Sequence, residues 1–295
     1  MNAVINVYKE KGYTSFDVVA KLRGILHMKK IGHTGTLDPM AEGVLPVCVG
    51  SATKLCEMLT DHDKVYETVM HLGVVTDTQD ATGNVLEENN PCVTEENIRS
   101  AVGAMVGGYE QMPPMYSAKK VNGRKLYDMA RKGETVERKK TPVMIYDIEI
   151  TAIDMPRVYM RVSCGKGTYI RTLCHDIGAI LGCGAMMEEL RRTVVGEFEI
   201  ADALKLNEIE ELVRSGEIEK RVIQVEDVFG EYPKWIAPEP MYKAVRNGNT
   251  INNARYTREG QYNFVRVYDH LLKFVGLYTV GEMGQLIPYK MFLND

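Results

Sequence analysis

The sequence predicts an α+β protein of two domains, one spanning residues 1–230 and a smaller, β-rich one spanning residues 231–295. Strand-like and helical hydrophobic patterns alternate through the first 230 residues. The composition changes at residues 230–240, where three prolines and Trp235 suggest a linker. The remaining residues combine short apolar runs with turns at Gly248, Gly260, Gly276 and Gly281, as small β domains do. A chain of 295 residues can bury a core in each part.

The first predicted elements surround one polar loop. Residues 4–8 form a strand-like apolar run, and Thr14 and Asp17 then have the spacing of a capping box at the start of a helix. The apolar side chains of this helix recur at helical intervals, at Val18, Val19, Leu22, Ile25 and Leu26. Residues 32–39 are predicted to form a loop that leads into an apolar stretch at 43–59.

The later elements follow the same alternation. A strand is predicted at 64–73, a polar loop at 76–83 and an amphipathic helix at 94–106 with Thr94 as its N-cap. After a basic segment the pattern predicts strands at 147–153, 158–164 and 197–200, and helices at 169–181 and 208–215.

Charge is distributed unevenly along the chain. The net charge is −4, yet residues 113–141 carry nine basic and three acidic side chains, whereas residues 201–230 carry eight acidic and four basic ones. Turn signals at Pro113-Pro114 and Asn122-Gly123 interrupt the basic segment. A local basic patch attracts a phosphate backbone whatever the rest of the surface carries, so this segment indicates a nucleic-acid partner. A solvated charged helix is the alternative.

Composition also excludes several classes of protein. No stretch approaches the roughly 20 apolar residues of a membrane helix, and the N-terminus lacks the layout of a signal peptide. We therefore expect a cytoplasmic protein without a membrane partner. The six cysteines form no Cys-x-x-Cys pair and the six histidines are scattered, which argues against disulfides and structural zinc. We therefore predict that any reaction at this protein uses no metal ion.

The least ordinary segment is the loop at residues 32–43, which brings His33, Gly35, Asp38 and Pro39 together. Glycine permits torsions that other residues avoid, and proline holds the residue before it in an extended conformation. A carboxylate fixed in this way can act as a nucleophile or a general base. A simple turn capped by Asp38 is the alternative from residue types alone. A phosphate-binding loop is disfavoured because the Gly-x-x-x-x-Gly-Lys-Ser/Thr pattern is absent.

These residues resemble a known family. The run from Gly32 to Pro39, Gly-His-Thr-Gly-Thr-Leu-Asp-Pro, is similar to the signature of the TruB family of pseudouridine synthases, in which the aspartate of Leu-Asp-Pro is catalytic. The resemblance assigns that role to Asp38. Residues 9–19 resemble the N-terminal motif of the family, with Glu10 where proline is usual. We expect this difference to alter the turn and not the chemistry.

Three more segments match in family order, so the resemblance covers about residues 4–200. It implies that Tyr66 stacks on the target uracil and is a candidate base, and that Arg171, in Gly-Lys-Gly-Thr-Tyr-Ile-Arg, pairs with Asp38. From residue type alone, Tyr66 could be a core aromatic and Arg171 a capping side chain. Tyr169 and Leu190, which opens a Leu-Arg-Arg-Thr motif, would form apolar walls around the uracil, and His33 would help fill the gap left by a flipped base.

The resemblance also implies the overall structure and partners. It predicts a pseudouridine synthase fold, with a mixed, mostly antiparallel sheet flanked by helices, and a PUA-like C-terminal domain. The substrate would be the T-arm of tRNA, modified at position 55, with no cofactor and no protein partner, by a monomer. The segment 113–141 would grip the RNA. Further predicted RNA contacts are Lys9, Lys119, Lys120, Arg124 and Lys125.

Two alternatives differ from this reading. One is an RNA-guided synthase of the related archaeal and eukaryotic branch, which the compact C-terminus and the basic insertion disfavour. The other is a tRNA-folding chaperone in which catalysis is incidental, which the retained Asp38, Tyr66 and Arg171 disfavour.

Overall fold

The computed structural model describes residues 1–117, 119–121, 123–134, 136–252 and 262–293. The predicted turn at Gly260 and one half of the Asn122-Gly123 turn lie outside these residues. The backbone of Lys120 and Lys125 is described, whereas their side chains are not.

The described residues form eighteen strands, which we number in chain order. Their bounds are β1 (Ala3–Lys9), β2 (Ile31–His33), β3 (Glu42–Val49), β4 (Lys64–Leu72), β5 (Val74–Thr76), β6 (Val85–Glu88), β7 (Gly107–Gln111), β8 (Lys120–Val121), β9 (Arg124–Lys125), β10 (Thr141–Asp154), β11 (Arg157–Cys164), β12 (Ala185–Val195), β13 (Phe198–Glu199), β14 (Ile223–Gln224), β15 (Lys234–Ile236), β16 (Phe264–Tyr268), β17 (Phe274–Val280) and β18 (Leu286–Met291).

Seven α-helices accompany the strands within the described ranges. They are α1 (Ser15–Ile25), α2 (Cys56–Thr60), α3 (Glu95–Gly103), α4 (Leu126–Ala130), α5 (Ile170–Leu181), α6 (Leu206–Ser215) and α7 (Tyr242–Arg246). The predicted capping box of Thr14 and Asp17 is formed, and Thr94 caps α3 as predicted. Among the residues that the structure describes, no helix is long and apolar enough to cross a membrane.

One large mixed sheet organises the first 230 residues. Its strands lie in the order β14-β1-β3-β12-β4-β11-β10-β7, with β2 beside β3 and β13 beside β12. The pairs along this path are antiparallel except β3 with β12, which is parallel. Helices α3 and α5 pack on one apolar cluster of the sheet, and α1 and α6 on another. The predicted α+β class with a mixed, mostly antiparallel sheet is confirmed.

The register of this sheet brings distant residues into one row. Lys9 on β1 lies opposite Gly43 on β3, Gly43 opposite Arg192 on β12, and Arg192 opposite Tyr66 on β4. Side chains in one row across neighbouring strands point to the same face of a sheet. A Cβ on Gly43 would lie 2.2 Å from the Arg192 carbonyl oxygen, so only glycine allows the close approach of β3 and β12.

Two strand predictions were incomplete. The strand predicted at 147–153 begins earlier, at Thr141, and the one predicted at 197–200 is reduced to Phe198–Glu199. The whole of β12 was missed, although it lies between β3 and β4 at the centre of the sheet. Its sequence does not alternate cleanly because two register shifts interrupt its pairing with β4.

The C-terminal residues form a separate four-stranded sheet in the order β15-β16-β17-β18. Its β-rich character is as predicted. It has an apolar cluster of its own, yet Leu277 and Phe292 also belong to a cluster that contains Val4 and Phe229 from the first part of the chain. The Lys54 ammonium donates a hydrogen bond to the Met291 carbonyl oxygen at 2.8 Å. The C-terminal sheet is therefore packed against the large sheet.

Candidate active site

The loop between β2 and β3, residues 34–41, carries Asp38 and is fixed from two sides. The Leu37 N–H donates to Ser15 Oγ at 2.9 Å, and that hydroxyl donates back to the Leu37 carbonyl at 3.2 Å. The Gly12 N–H donates to the Pro39 carbonyl at 2.8 Å. Gly35 has a φ of +107°, in the range that favours glycine. The start of α1 therefore holds the backbone on both sides of Asp38.

Arg171 joins the Asp38 carboxylate to a second carboxylate. Its Nη2 lies 2.9 Å from Asp38 Oδ2 and 3.0 Å from Oδ1, as the resemblance implied. Its Nη1 lies 3.3 Å from Asp80 Oδ2, and Nη2 also donates to the Tyr116 carbonyl at 2.8 Å. The Arg171 side chain is 5% exposed, so its charge depends on these partners for compensation.

Asp80 is held in the turn between β5 and β6. Its Oδ1 accepts hydrogen bonds from the Thr78 hydroxyl at 2.8 Å and the Thr82 N–H at 3.0 Å, and also from the Thr82 hydroxyl. The preceding Gln79 has a φ of 66°, a conformation that costs energy outside glycine. No motif in the sequence indicated Asp80, which is one of two residues beside Asp38 that were not predicted.

The ionisation of Asp38 reflects opposing influences. Burial raises the pKa of its carboxyl above the ordinary value, Arg171 lowers it, and the Asp80 carboxylate raises it again. The contact with Arg171 lowers the pKa because a guanidinium favours the ionised form of a carboxyl group beside it. Burial is the larger influence. The 35% of the Asp38 side chain that stays exposed faces the cavity described next.

A cavity of about 560 Å³ opens above Asp38, a volume typical of small-molecule sites. Tyr66, Tyr169, Leu190 and Arg171 all line it, so four predicted site residues meet Asp38 at one place. Burial raises the pKa of the Tyr66 hydroxyl, and the nearby Arg192 guanidinium only partly opposes this. The neutral phenol is therefore favoured, which suits an aromatic face that stacks on a base.

Arg192 is the second site residue that was missed. It is 1% exposed. Its Nε donates to the Val44 carbonyl at 2.7 Å and its Nη2 to the Gly35 carbonyl at 3.3 Å. Arg192 thereby ties the loop that carries Asp38 to β3 and β12. The Leu-Arg-Arg-Thr motif that begins at Leu190 contains it, and membership of that motif is the signal that the sequence offered.

Lys9 lies on the opposite side of the same loop and is fully buried. Its ammonium donates to the carbonyl oxygens of Glu10, Pro39 and Ala41, at 3.2, 3.2 and 2.6 Å. Burial lowers the pKa of Lys9 to about 8. Lys9 was predicted to contact RNA, but in this structure its hydrogen bonds go to the loop and none of its surface is exposed.

The other predicted contacts with the substrate lie in β2 and in the basic segment. His33 ends β2, and burial lowers the pKa of its imidazole. In the basic segment, Lys119 contacts the Thr141 hydroxyl, and the exposed Arg124 pairs with Glu134 at 3.0 Å. The side chains of Lys120 and Lys125 lie outside the description. The segment therefore joins the cavity at Ser117 and Thr141, and none of its described basic side chains is among the residues that line the cavity.

Family comparisons agree with this geometry. Residues 23–170 match the family model for the N-terminal domain of TruB family pseudouridylate synthases. Residues 171–228 match the model for the C-terminal domain of tRNA pseudouridylate synthase B. The first match contains Asp38, Tyr66 and Tyr169, and the second contains Arg171 and Arg192.

Similar proteins cover nearly the whole chain. It is 50% identical to the tRNA pseudouridine synthase B of Lachnoclostridium phytofermentans, over 99% of this chain and 100% of that protein. It is 44% identical to the protein of the same name from Clostridium novyi, over 96% and 97%.

Two solved structures share the fold of this chain over nearly its whole length. A Cbf5-Nop10-Gar1 complex contains a chain with a TM-score of 0.72 and 27% identity, covering 99% of this chain and 85% of that one. A chain from an H/ACA RNP bound to a substrate RNA containing 2′-deoxyuridine has a TM-score of 0.71 and 26% identity, with the same coverage. The pseudouridine synthase fold predicted from the sequence is therefore confirmed.

Proposed function

This chain belongs to the TruB family of pseudouridine synthases, and we propose that it converts the uridine at position 55 of the tRNA T-loop to pseudouridine. The observation that carries the proposal is the Asp38 carboxylate, held 2.9 Å from Arg171 at the floor of a cavity that Tyr66 and Leu190 line. The names of the similar proteins support a tRNA substrate. A tRNA substrate would place the enzyme in the cytoplasm.

The reaction needs no redox partner. The N1–C1′ bond of uridine breaks, the uracil turns, and a C5–C1′ bond forms, so no atom is gained or lost. A stacked base in a folded RNA must first be flipped into the cavity. Stacking on Tyr66 would offset part of that cost, by about 1–3 kcal/mol as in single-strand binders.

Asp38 then acts on the flipped nucleotide as a nucleophile or as a stabiliser of the sugar intermediate. Attack at the sugar, attack at the base and a glycal route all begin from the same ionised carboxylate. Arg171 keeps that carboxylate oriented toward the cavity, and Asp80 in turn compensates the remaining charge of Arg171.

The first test uses tRNA transcript alone. We expect pseudouridine to form in a T-loop-containing transcript with only the purified protein present, because the cavity is complete within this one chain. The measurement is pseudouridine mapping at single-nucleotide resolution. A transcript with cytidine at position 55 is the control and should remain unmodified.

The same test separates the RNA-guided alternative. If product appears only after addition of a guide RNA or partner proteins, stand-alone modification by a monomer is wrong. If product appears on the naked transcript at another uridine, the enzyme class stands and the assignment of position 55 fails.

We also propose that residues 113–141 grip the phosphate backbone. Replacing Arg124 and Lys125 by serine should weaken tRNA binding and reduce the slope of log affinity against log salt by roughly 1 to 2, because each phosphate contact contributes about 0.7–0.9. Filter binding between low and physiological salt measures this. The matched control is Arg214→Ser with Lys220→Ser, two exposed, ion-paired cations in the acidic segment 201–230. An equal slope change in both variants would contradict a specific role of the insertion.

The C-terminal sheet is the second RNA-binding part of the proposal, as a PUA-like module. Support comes from its β-rich architecture and from basic side chains that include Lys243, Arg246 and Arg266. Arg255 and Arg258 lie outside those residues.

A further inference from the structure

Gln111 connects the base of the basic insertion to the active site. It is the last residue of β7, two residues before the insertion begins at Pro113, and it is 1% exposed. Its side-chain amide both accepts a hydrogen bond from the backbone of Tyr169 and donates one to it. The Tyr169 N–H donates to Gln111 Oε1 at 2.8 Å, and Gln111 Nε2 donates to the Tyr169 carbonyl at 3.1 Å.

Tyr169 is the N-cap of α5, and Arg171 follows two residues later in the first turn of that helix. The Tyr169 side chain makes no capping hydrogen bond, so the amide of Gln111 supplies an acceptor that the helix start lacks. The first turn of α5 therefore depends on a side chain from outside the helix, and that turn sets the direction of Arg171.

The insertion also reaches Arg171 directly. Five residues after Gln111, the Tyr116 carbonyl accepts a hydrogen bond from Arg171 Nη2 at 2.8 Å, and the same nitrogen binds Asp38. Ser117, which follows, is 4% exposed and lines the cavity. Residues 111–117 thus make contacts at both of their ends, with the N-cap of α5 at Gln111 and with the Arg171 guanidinium at Tyr116.

We infer that Gln111 is a positioning residue that couples the insertion to catalysis by fixing the start of α5, and with it the geometry of Arg171 and Asp38. Gln111 touches neither the cavity nor Asp38, so it acts through Tyr169 and Arg171. The inference rests on the proposed isomerisation, since the rate of that reaction is its readout. A movement of the insertion on RNA would reach the catalytic pair through these contacts.

The side-chain chemistry is specific to glutamine. A carboxylate at this position would keep the acceptor for the Tyr169 N–H and place a second acceptor against the Tyr169 carbonyl. An apolar side chain of similar length would fill the space and form neither hydrogen bond. These differences make Gln111→Met and Gln111→Glu informative variants.

The experiment compares single-turnover pseudouridine formation, tRNA affinity and thermal unfolding. Gln111→Met should lower the single-turnover rate by roughly 10- to 100-fold, the size expected for a misplaced catalytic group. Its tRNA affinity should stay near that of the unmodified protein. The acid limb of its pH–rate profile should move to higher pH, because a loosened Arg171 opposes the raised pKa of Asp38 less well. A role in stability alone would not move that limb.

Asn6→Leu is the matched control. Asn6 is also buried, and its side-chain amide donates to the Glu199 carbonyl at 2.8 Å, between β1 and β13. It should lower Tm to a similar extent and leave the rate and the pH profile unchanged. Gln111→Glu keeps one of the two hydrogen bonds with the Tyr169 backbone and should fall between Gln111→Met and the unmodified protein. This second variant keeps the test available if the methionine variant does not fold.

Each outcome decides one question. An unmodified protein that forms no pseudouridine refutes the proposed function, and the coupling that rests on it fails as well. An active unmodified protein, with folded Gln111 variants of unchanged rate and pH profile, overturns the coupling alone. A rate loss that merely follows the fraction of unfolded protein overturns it as well.

Discussion

Replacing Asp38 by asparagine should reduce pseudouridine formation by more than about 10³-fold and leave tRNA affinity nearly unchanged. Asparagine keeps the shape of the side chain and one hydrogen-bond acceptor for Arg171. It removes the negative charge on which nucleophilic attack and stabilisation of a sugar cation both depend. The measurement is single-turnover pseudouridine formation beside a binding curve for the same transcript.

Asp61→Asn provides the control for this result. Asp61 also lines the cavity, but it is paired with Lys166 at 2.9 Å and its side chain is 60% exposed. Its replacement should leave the rate little changed. Turnover by Asp38→Asn close to that of the unmodified protein would refute the assignment of Asp38. A loss of binding equal to the loss of rate would instead make Asp38 a determinant of RNA affinity.

The sequence was sufficient for the parts of this site that lie within short motifs. Asp38, Tyr66 and Arg171 each stand in a recognisable segment, and the order of those segments predicted that they meet. Helix caps were also predicted correctly, because they depend only on residues that are close in sequence. The capping side chains of Thr14 and Thr94 act within one turn of helix, and both are formed.

The sequence was insufficient where long-range pairing decides the outcome. Nothing near Arg192 indicates that it lies opposite both Gly43 and Tyr66, because that row depends on the register of three strands. Asp80 stands in a polar turn where aspartate is common for local reasons. Its role as second partner of Arg171 follows only from the packing of that turn against α5, 91 residues later in the chain.

The sequence also did not indicate that a cation beside the loop at residues 34–41 is buried. Lys9 was predicted to contact RNA because it is basic and lies in a family motif. The antiparallel register of β1 and β3 instead places its ammonium under the carbonyl oxygens of Pro39 and Ala41. Three carbonyl oxygens accept hydrogen bonds from the Lys9 ammonium, so this buried lysine fixes the loop without meeting solvent.

Replacing Arg171 by methionine should have the second largest effect, because it removes a guanidinium that contacts both the Asp38 and the Asp80 carboxylates. We expect the rate of pseudouridine formation to fall by about 10²–10³-fold, since Asp38 loses its orientation and the charge partner beside the reacting base. The free energy of unfolding should fall by about 3 kcal/mol, at the low end for a broken buried ion pair. Asp80 keeps hydrogen bonds from Thr78 and Thr82, which limits the loss.

Arg157→Met is the matched control for stability. Arg157 pairs with Glu188 at 2.8 Å on the surface of the same sheet, with 42% of its side chain exposed. Exposed pairs contribute about 1 kcal/mol or less, so this variant should keep its activity and nearly all of its stability. Equal unfolding free energies for the two variants would contradict the buried character of the Arg171 pair.

The pH dependence of Arg171→Met distinguishes an electrostatic role from a purely structural one. Asp38 must be ionised to act, so activity is lost as the pH falls through the pKa of its carboxyl in the folded protein. Burial already raises that pKa, and Arg171 is the main influence that lowers it. Without Arg171 the pKa rises further, and the acid limb of the pH–rate profile moves to higher pH.

Arg171→Lys keeps the charge but lacks the planar fork that reaches Asp38, Asp80 and the Tyr116 carbonyl together. Its acid limb should therefore lie between those of the unmodified protein and Arg171→Met. An acid limb at the same pH in all three proteins would mean that Arg171 holds the loop in place without setting the charge of Asp38.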